Sequence, residues 1–286
     1  MRNHFLRNFY ALLTTLTASL LFGFASLPEQ NFELTFLDVG QGDAILIRTP
    51  ENQKILVDAG PPGAILEPLS QELNFWEKSI QLAILTHPDS DHAAGFAEVL
   101  KRFKVEAILL TGIEPESEWY REILRQIDIQ KIPVLIADDE LDLNFGQVNL
   151  NLFWPTEPLV GKFVQDANAS SIAFRVSFGG TAAVLTGDLP IENEEIILKN
   201  PPELQAQIFK LGHHGSKTSS SAEFITAIDP NFVVVSAGAD NSFGHPAQET
   251  LDRAGEREIF STIESGSIKF ISDGQVWKIE KSQDKS

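Results

Sequence analysis

The sequence predicts an α/β (α+β) fold with four layers, in which two β-sheets pack face to face between outer helices. Three observations support this αββα sandwich. Apolar runs of strand length occur in both halves of the chain, helix-length segments lie among them, and polar residues directly follow several runs. Sheets and helices each bury one apolar side, and two packed sheets covered by helices meet that need. The polar segments are then expected on loops at one edge of the sandwich.

The elements follow one another along the chain. In the first half, the predicted strands are Glu33–Leu37, Ala44–Arg48, Lys54–Val57, Leu82–Leu85 and Ala107–Leu110, and the predicted helices are Glu67–Asn74, Gly95–Phe103 and Glu116–Gln126. In the second half, the predicted strands are Val148–Phe153, Ile172–Phe178, Thr181–Leu185, Gln207–Lys210, Phe232–Val235 and Ser267–Ile271, and the predicted helices are Glu192–Leu198, Ala222–Ile228 and Ala247–Ala254. Both halves therefore mix strands with helices.

The composition fits one domain preceded by a separate amino-terminal segment. The chain is 43% hydrophobic, and no Gly/Ser-rich or Pro-rich linker or internal repeat divides it. Arg2 and Arg7 precede an apolar run, Tyr10–Ala25, that ends in small residues. The run is shorter than the roughly 20 residues that span a bilayer, which favours a cleaved signal over a retained anchor. We expect a signal peptide or membrane anchor over 1–27 and one domain over 28–286.

The most informative stretch is His87–His92, which reads His-Pro-Asp-Ser-Asp-His directly after an apolar run. Any one of these residues alone is ordinary turn chemistry. Together they offer four imidazole or carboxylate ligands in six residues, a set that suits zinc, manganese or iron. The chain has no cysteine, so a metal must be held by histidine and aspartate. The stretch predicts a metal site.

Other segments supply further ligands, and together they carry a family resemblance. They are Asp38–Asp43 (Asp-Val-Gly-Gln-Gly-Asp), Thr186–Asp188 (Thr-Gly-Asp), His213–Ser216 (His-His-Gly-Ser) and Gly244–Pro246 (Gly-His-Pro). With Thr86–His92 they resemble the metallo-β-lactamase superfamily, whose HxHxDH signature has a histidine where this chain has Asp89. The resemblance is closest to the competence-type branch, the domain at the end of the DNA-uptake protein ComEC.

The resemblance implies a hydrolase with two divalent metal ions, zinc or manganese, and a role for each residue. His87 and Asp89 would hold one ion, Asp91 and His92 the other, and Asp188 would bridge them. His214 is assigned to the first ion and His245 to the second, which leaves His213 to contact substrate or act as an acid; an exchange of His213 and His214 stays open. The catalytic side chains would be Asp188, His213 and Asp91.

Weaker expectations concern residues around the ions. The resemblance implies that Asp58 supports the first histidine loop, although a simple turn also explains this residue. Asp43 is as compatible with a hairpin turn as with a place in the cleft. Ser216 and Lys217 could bind phosphate or cap a helix. No histidine precedes the strand at Ser171, where many superfamily members supply a ligand, and the segment there is Asn168-Ala-Ser-Ser171.

The implied reaction is hydrolysis by water that the metal ions activate, and a phosphodiesterase or nuclease is the first expectation. The formal charge of −18 disfavours DNA as a partner, because 40 acidic residues against 22 basic ones repel a phosphate backbone. A secreted hydrolase of a non-nucleic ester, lactone or lactam is the second hypothesis, and a non-catalytic metal-binding module is the third. The domain is expected to be secreted or periplasmic, with membrane contact only if the amino-terminal segment is retained.

Overall fold

A computed structural model describes residues 31–114 and 117–282, which form two large β-sheets. The predicted segment 1–27 lies outside these residues, so the boundary at residue 28 stays a prediction. The first sheet contains, in spatial order, β17 (Trp277–Lys281), β16 (Ile268–Ser272), β1 (Phe32–Phe36), β2 (Ile45–Arg48), β3 (Lys54–Val57), β5 (Leu82–Ile84), β7 (Ile108–Leu110) and β8 (Val134–Ile136). The second contains β15 (Glu258–Ser261), β14 (Phe232–Val235), β13 (Ile208–Lys210), β12 (Thr181–Leu185), β11 (Ala173–Phe178), β10 (Val148–Trp154) and β9 (Asp142–Phe145).

Short elements and helices complete the described chain. Two strands of two residues each, β4 (Ser79–Ile80) and β6 (Lys104–Val105), pair in parallel. The α-helices of the described residues are α1 (Leu66–Glu72), α2 (Ser90–Ala93), α3 (Phe96–Arg102), α4 (Glu118–Gln130), α5 (Ile191–Lys199), α6 (Ala222–Ile228), α7 (Gln248–Ala254) and α8 (Thr262–Ser265). Two 3₁₀ turns cover Ala167–Ser170 and Gly212–Gly215. None of the helices described here combines the length and apolar character that crossing a membrane requires.

Three apolar cores separate the layers of the fold. The central core lies between the sheets and includes Phe36 of the first sheet and Phe174 of the second. A second core packs α3 and α4 on the outer face of the first sheet, with Phe96 at its middle. A third packs α6 on the second sheet through Phe209 and Phe224. The predicted four-layer αββα sandwich is confirmed.

The predicted elements are present, and the differences lie mainly at the sheet edges and at one helix. The edge strands β8, β9, β15 and β17 were not predicted: polar residues interrupt β9, β15 and β17, and β8 is an apolar run of only three residues. The helix predicted over Glu116–Gln126 is observed as α4, which begins at Glu118 and continues to Gln130. It extends further because the Gln130 side chain bonds to the carbonyl of Leu100 and Lys131 adopts a left-handed cap.

Strand direction determines where the polar segments lie. Strands β1, β3, β5 and β7 run the same way, and their carboxyl ends lead into the segments that begin at residues 37, 58, 85 and 111. In the second sheet, β12, β13 and β14 are parallel and lead into the segments after residues 185, 210 and 235. Loops at the carboxyl ends of neighbouring parallel strands meet at one sheet edge. All predicted ligand segments therefore lie at strand ends of this kind or in loops beside them.

The opposite edge holds a buried ion cluster around Glu77, and this cluster predicts a pH-dependent stability. Glu77 accepts hydrogen bonds from Lys54 Nζ at 2.7 Å, Arg48 Nη1 at 2.9 Å and the backbone of Asn74 at 2.9 Å. Burial opposes the shift, but these donors lower the pKa of Glu77 to about 2. A carboxyl with a depressed folded-state pKa stabilises the protein above its unfolded-state pKa, and the contribution is lost as the pH falls towards the folded value.

We expect Glu77→Gln to lower the free energy of unfolding by about 2–3 kcal/mol at pH 7. The difference from the wild type should shrink as the pH falls from about 5 towards about 2, because the wild-type carboxyl then becomes protonated too. Urea unfolding followed across this pH range measures the effect. A deficit that stays constant with pH would contradict the assignment to this ionised carboxylate.

Candidate metal centre

The centre is built around the His87–His92 loop, which Asp58 holds at both ends. The Asp58 carboxylate accepts the backbone N–H of Thr86 at 2.8 Å and its hydroxyl at 2.7 Å. The same carboxylate accepts His92 Nδ1 at 2.8 Å. Asp58 and Thr86 are buried, so these bonds fix the loop away from solvent competition. This is the position that the resemblance implied for Asp58, and a simple turn residue would not make these contacts.

Asp188 lies at the middle of the cluster. Its Oδ2 atom is 3.2 Å from His92 Nε2, 3.4 Å from His214 Nε2, 3.7 Å from His213 Nε2 and 3.8 Å from His87 Nε2. The Asp188 side chain is only 3% exposed. A single carboxylate thus faces four imidazoles from two separate segments, and the bridging role of Asp188 stays a prediction.

Hydrogen bonds on the far side of three rings determine which nitrogen points to the centre. Thr86 Oγ1 already donates to Asp58, so it accepts from His87 Nδ1 at 3.1 Å. His92 Nδ1 donates to Asp58, and His214 Nδ1 donates to the carbonyl of Ser236 at 2.9 Å. Each ring therefore turns an unprotonated Nε2 inward when it is neutral, as metal-binding histidines do.

Two buried atoms at the centre test whether a metal fits. Neither His87 Nε2 nor Asp188 Oδ1 has a hydrogen-bond partner among the described residues. Burial and the neighbouring His92 lower the pKa of His87 to about 3, so this imidazole is neutral and its lone pair is available. Buried polar atoms are rarely left without partners, and a divalent cation would satisfy both. The donor set of imidazole nitrogens and carboxylate oxygens fits such an ion.

The electrostatics around His92 and His214 also favour a cation. Potential ligand atoms of Asp43, His92, Asp188 and His214 all lie within 4.8 Å of one another. Although burial opposes it, Asp188 raises the pKa of His92 well above its usual range and that of His214 to about 9. The pKa of Asp188 is in turn held well below its usual range by these two histidines, against the effect of burial. The buried carboxylates thus create a negative potential that attracts positive charge.

The sequence of the chain matches a known protein family and known relatives. The family model described as the metallo-β-lactamase superfamily matches residues 37–238. The chain belongs to the metallo-β-lactamase superfamily. It is 32% identical over 260 residues to the competence protein ComA of Neisseria gonorrhoeae and 28% identical over 273 residues to ComE operon protein 3 of Bacillus subtilis. Each match covers 88% of this chain and 34% of the relative, so the chain spans about a third of the length of these relatives.

Solved structures support the same fold. The metallo-β-lactamase fold protein YhfI from Bacillus subtilis superposes with a TM-score of 0.53 at 11% identity, covering 81% of this chain and 96% of YhfI. The diiron β-hydroxylase CmlA from Streptomyces venezuelae superposes with a TM-score of 0.50 at 16% identity, covering 89% of this chain and 55% of CmlA. At these identities the likeness concerns the fold alone. The chain is a member of a hydrolase superfamily with a candidate site for divalent metal.

His214 lies beside two of the residues predicted to hold the second ion. The sequence assigned His214 to the ion held by His87 and Asp89. Its Nε2 atom instead lies 3.2 Å from Asp91 Oδ2 and 3.3 Å from His92 Nε2. The backbone after β13 thus turns the His214 ring towards Asp91 and His92, and the ion that His214 would bind stays a prediction.

The backbone of the two adjacent histidines explains why the sequence left their order open. His213 and His214 have φ of 51° and 55°, in the left-handed region that few residues other than glycine adopt. The ring of His214 is buried as a result, whereas the side chain of His213 is 28% exposed. The exposed member of the pair, His213, lies at the border of the centre and 3.7 Å from Asp188.

The remaining predicted ligands lie at the rim. Asp89 is about half exposed and 3.8 Å from His87 Nε2. The half-buried ring of His245 lies 5.3 Å from the ring of His213 and 6.3 Å from that of His214, and Phe243 stacks on it. His245 thus faces the histidine pair, and its assignment to the second ion stays a prediction.

Ser171 lies beside His87, and Asn168 lies in the turn that precedes Ser171. Ser171 Oγ accepts the backbone N–H of Asp188 at 3.1 Å and lies 3.4 Å from His87 Nδ1. Serine therefore supports two metal-facing residues in the segment where many superfamily members supply a histidine. Asn168 lies in the 3₁₀ turn just before Ser171, and its buried Oδ1 has no hydrogen-bond partner in the described part of the chain.

Ser216 and Lys217 lie on the loop after the histidine pair. Ser216 Oγ is 3.0 Å from the hydroxyl of Thr218, which in turn lies 3.5 Å from His213 Nδ1. The side chain of Lys217 is exposed, and its carbonyl accepts from Arg253.

Two residues that sequence reasoning missed hold this loop in place. Arg253 donates to the carbonyls of Lys217 and Ser219, both at 3.1 Å. Glu194 accepts the backbone N–H groups of Ser220 and Ser221. Neither residue belongs to a ligand motif, so the sequence offers no local signal for these contacts.

The most important residue that sequence reasoning missed is Lys210. Its Nζ atom lies 2.5 Å from Asp43 Oδ2, and both side chains are almost completely buried. Asp43 Oδ1 lies 3.3 Å from His214 Nδ1, on the side of the ring away from the other ligands. Asp43 therefore packs against the His214 ring beside its hydrogen bond to Ser236, and its Oδ1 atom has no hydrogen-bond partner among the described residues. A lysine at the end of an otherwise apolar strand, Ile208-Phe209-Lys210, was the available signal, since a buried lysine needs a partner.

Gly42 brings the Asp38–Asp43 turn against the His87–His92 loop, and this contact predicts a large difference between two glycine variants. A Cβ on Gly42 would overlap the carbonyl oxygen of Asp91, whereas a Cβ on Gly40 would meet nothing within 4 Å. Both residues have positive φ. We expect Gly42→Ala to lower the free energy of unfolding by about 2–4 kcal/mol and to reduce bound metal.

The matched variant Gly40→Ala carries only the cost of a left-handed alanine, about 1 kcal/mol. Urea unfolding and elemental analysis of the purified proteins compare the two. Equal losses of stability in both variants would show that close packing against Asp91 is not the reason for a glycine at position 42.

Proposed function

We propose that this chain is a metal-dependent phosphodiesterase that holds two divalent cations, manganese or zinc, between the histidine groups and Asp188. The observation that carries the proposal is the set of inward-facing donors around Asp188, with unpartnered, buried His87 Nε2 and Asp188 Oδ1 among them in the described part of the chain. When bound, such ions activate water and offset the charge that develops on the attacked oxygen.

The donors divide into two unequal groups. The first ion would be held by His87, Asp89 and Asp188, and the second by Asp91, His92, His214 and Asp188, with His245 as a further predicted ligand of the second. Asp89 stands where the superfamily signature has a histidine, and this harder oxygen ligand favours manganese over an all-nitrogen group. The first group is also the more exposed, because Asp89 lies at the surface. We expect metal titration to give a tight and a weaker class of site.

The chain's own residues position the donors and move a proton. Asp58 and Asp43 orient His92 and His214, and Ser171 fixes the backbone of Asp188. These contacts hold the imidazoles and the carboxylate in place before a substrate binds, which is what a preorganised centre requires.

His213 and Lys217 are the residues assigned to the substrate. His213 is partly exposed at the border of the centre, so it can reach both Asp188 and a substrate in the open cleft. We assign it the transfer of a proton to the leaving group. Lys217, exposed on the next loop, supplies a positive charge for a phosphate oxygen.

A nuclease is the finer form of the proposal, and its basis is the resemblance of the ligand motifs to a domain of a DNA-uptake protein. The charge of −18 opposes it, because DNA would have to approach an acidic protein. The alternative function is hydrolysis of a non-nucleic ester, lactone or lactam by the same centre, and a non-catalytic metal-binding module is the third hypothesis. All of these hypotheses use the same ligand residues. They differ in which substrate, if any, the protein turns over.

The test is a substrate panel on the purified full chain loaded with manganese or zinc. Bound metal is quantified first, and turnover is then measured on a bis-aryl phosphodiester, single- and double-stranded DNA, a lactone and a lactam, with chelated protein as the blank. Turnover of the phosphodiester supports the proposal, and DNA cleavage that falls steeply with salt supports the nuclease. Stoichiometric metal with turnover of the lactone or lactam alone would replace the proposal with the alternative, and metal without any turnover would leave the module.

A further inference from the structure

A surface patch at the edge opposite the metal centre combines exposed aromatic rings with basic side chains. Phe75 and Trp76 are 81% and 65% exposed, and their rings pack edge to face with centroids 4.8 Å apart. We define the basal patch as these two aromatic residues together with the exposed basic residues Lys78, Lys101, Arg102, Lys104 and Lys131. Large rings held in the open rather than folded into a core mark a contact surface.

Direct contacts join the members of the basal patch. Lys78 precedes β4, which pairs with β6, and Lys104 donates its backbone N–H to the carbonyl of Lys78 at 2.7 Å. The ammonium of Lys78 lies over the ring of Phe103, next to Arg102. Lys104 and Lys131 line one shallow depression. The patch is therefore a continuous surface.

The charge of the basal patch differs from that of the whole protein. Glu106 and Asp128 pair with Lys104 and Lys131, and Glu122 beside Lys101 pairs with Arg125, so the patch keeps a net positive charge. The complete chain has a charge of −18. A basic surface on an acidic protein is complementary to an anionic partner at this place.

Strand β1, the first strand of the described chain, begins at the edge that carries the basal patch. Strand β1 begins at Phe32 at this same edge, because β1 and β5 both run towards the metal centre. Glu33 lies 3.5 Å from Arg48, which contacts Glu77, the residue after Trp76. The apolar run Tyr10–Ala25 ends only six residues before Phe32, a reach of about 20 Å in extended chain.

We propose that the basal patch rests on the headgroup region of an anionic bilayer and so holds the metal centre facing away from the membrane. Phe75 and Trp76 would enter the interfacial zone, where aromatic rings are favoured, and the basic residues would face lipid phosphates. Glu77, which follows Trp76 directly, is anchored by ion pairs to Arg48 and Lys54. The proposal concerns the folded domain and goes beyond the proposed hydrolysis.

The test follows Trp76 itself, so that binding through the amino-terminal segment is not mistaken for binding through the patch. The full chain is mixed with phosphatidylglycerol-containing vesicles whose acyl chains carry bromine near the headgroup, and tryptophan quenching is measured. We expect quenching that is lost in Trp76→Phe and kept in the matched variant Trp119→Phe, whose ring is 40% exposed but lies at the start of α4, near the metal centre.

Binding through the basal patch should depend on its basic residues and on anionic lipid. The double variant Lys101→Ala/Arg102→Ala and vesicles of phosphatidylcholine alone should each lower the lipid affinity measured by Trp76 quenching at least about tenfold. Quenching that persists in Trp76→Phe, or that is absent in the wild type, would overturn the proposal. A fluorescence change at Trp76 with a single-stranded oligonucleotide but not with vesicles would overturn it in favour of a nucleic-acid surface.

Discussion

Replacing Asp188 with asparagine is expected to lower turnover by about a thousandfold or more and to release at least one metal equivalent. Asp188 Oδ2 is the atom that faces His87, His92 and His214 together, and its partner oxygen Oδ1 is buried without a protein partner among the described residues. An amide keeps the shape of the carboxylate but removes the charge that two cations would share. Turnover on the bis-aryl phosphodiester and elemental analysis of the purified variant measure the effect.

A matched control separates loss of the centre from general damage. Asp128→Asn changes an exposed aspartate that pairs with Lys131 near the carboxyl end of α4, away from the centre. It should leave both metal content and turnover at the wild-type level. A wild-type circular dichroism spectrum of Asp188→Asn would show that its loss of turnover does not come from unfolding. Unchanged turnover in Asp188→Asn would instead remove the basis for a bridging role.

Replacing Lys210 with methionine is expected to lower the free energy of unfolding by about 3–5 kcal/mol. The substitution leaves the Asp43 carboxylate buried without the cation 2.5 Å away, and a buried unpaired charge is among the most costly changes in a core. Metal affinity should fall about 10- to 100-fold as well, because Asp43 no longer orients His214. Urea unfolding and competitive metal titration measure the two losses.

The double variant Lys210→Met/Asp43→Asn distinguishes the ion pair from simple packing. Removing both charges leaves no unpaired ion, so most of the lost stability should return, whereas the metal affinity should stay low. Lys199→Met, at the exposed end of α5, is the control and should change neither quantity. A double variant no more stable than Lys210→Met would mean that Asp43 is not the partner that matters.

Ser171 supports the candidate metal ligands His87 and Asp188. The side chain lies between His87 Nδ1 and the backbone of Asp188, so it supports two donors instead of supplying one. Under the proposed assignment, the first ion would have fewer protein ligands than the second and would leave more positions open for substrate. The exposure of Asp89 fits this asymmetry, and the weaker class of site expected in the metal titration would follow from it.

Much of the fold and of the centre can be predicted from the sequence. The strands β3, β12 and β14 and helix α6 were predicted to the residue, because continuous apolar runs between polar turns leave little choice of secondary structure. The His87–His92 stretch identified the centre because four potential ligands within six residues rarely occur outside a metal site. Asp58 and Asp188 gained their roles from the superfamily resemblance, and the structure places both of them against the histidines.

The sequence by itself determined the layered fold, the family and the segments that meet at the centre, since periodicity and ligand spacing are local properties of the chain. Only the tertiary structure decided that His214 joins Asp91 and His92, that His213 stays partly exposed, and that Lys210 neutralises Asp43. These relations depend on left-handed backbone turns and on contacts between residues more than 100 positions apart. No pattern along the chain reports the distance between such residues, because packing of the two sheets sets it.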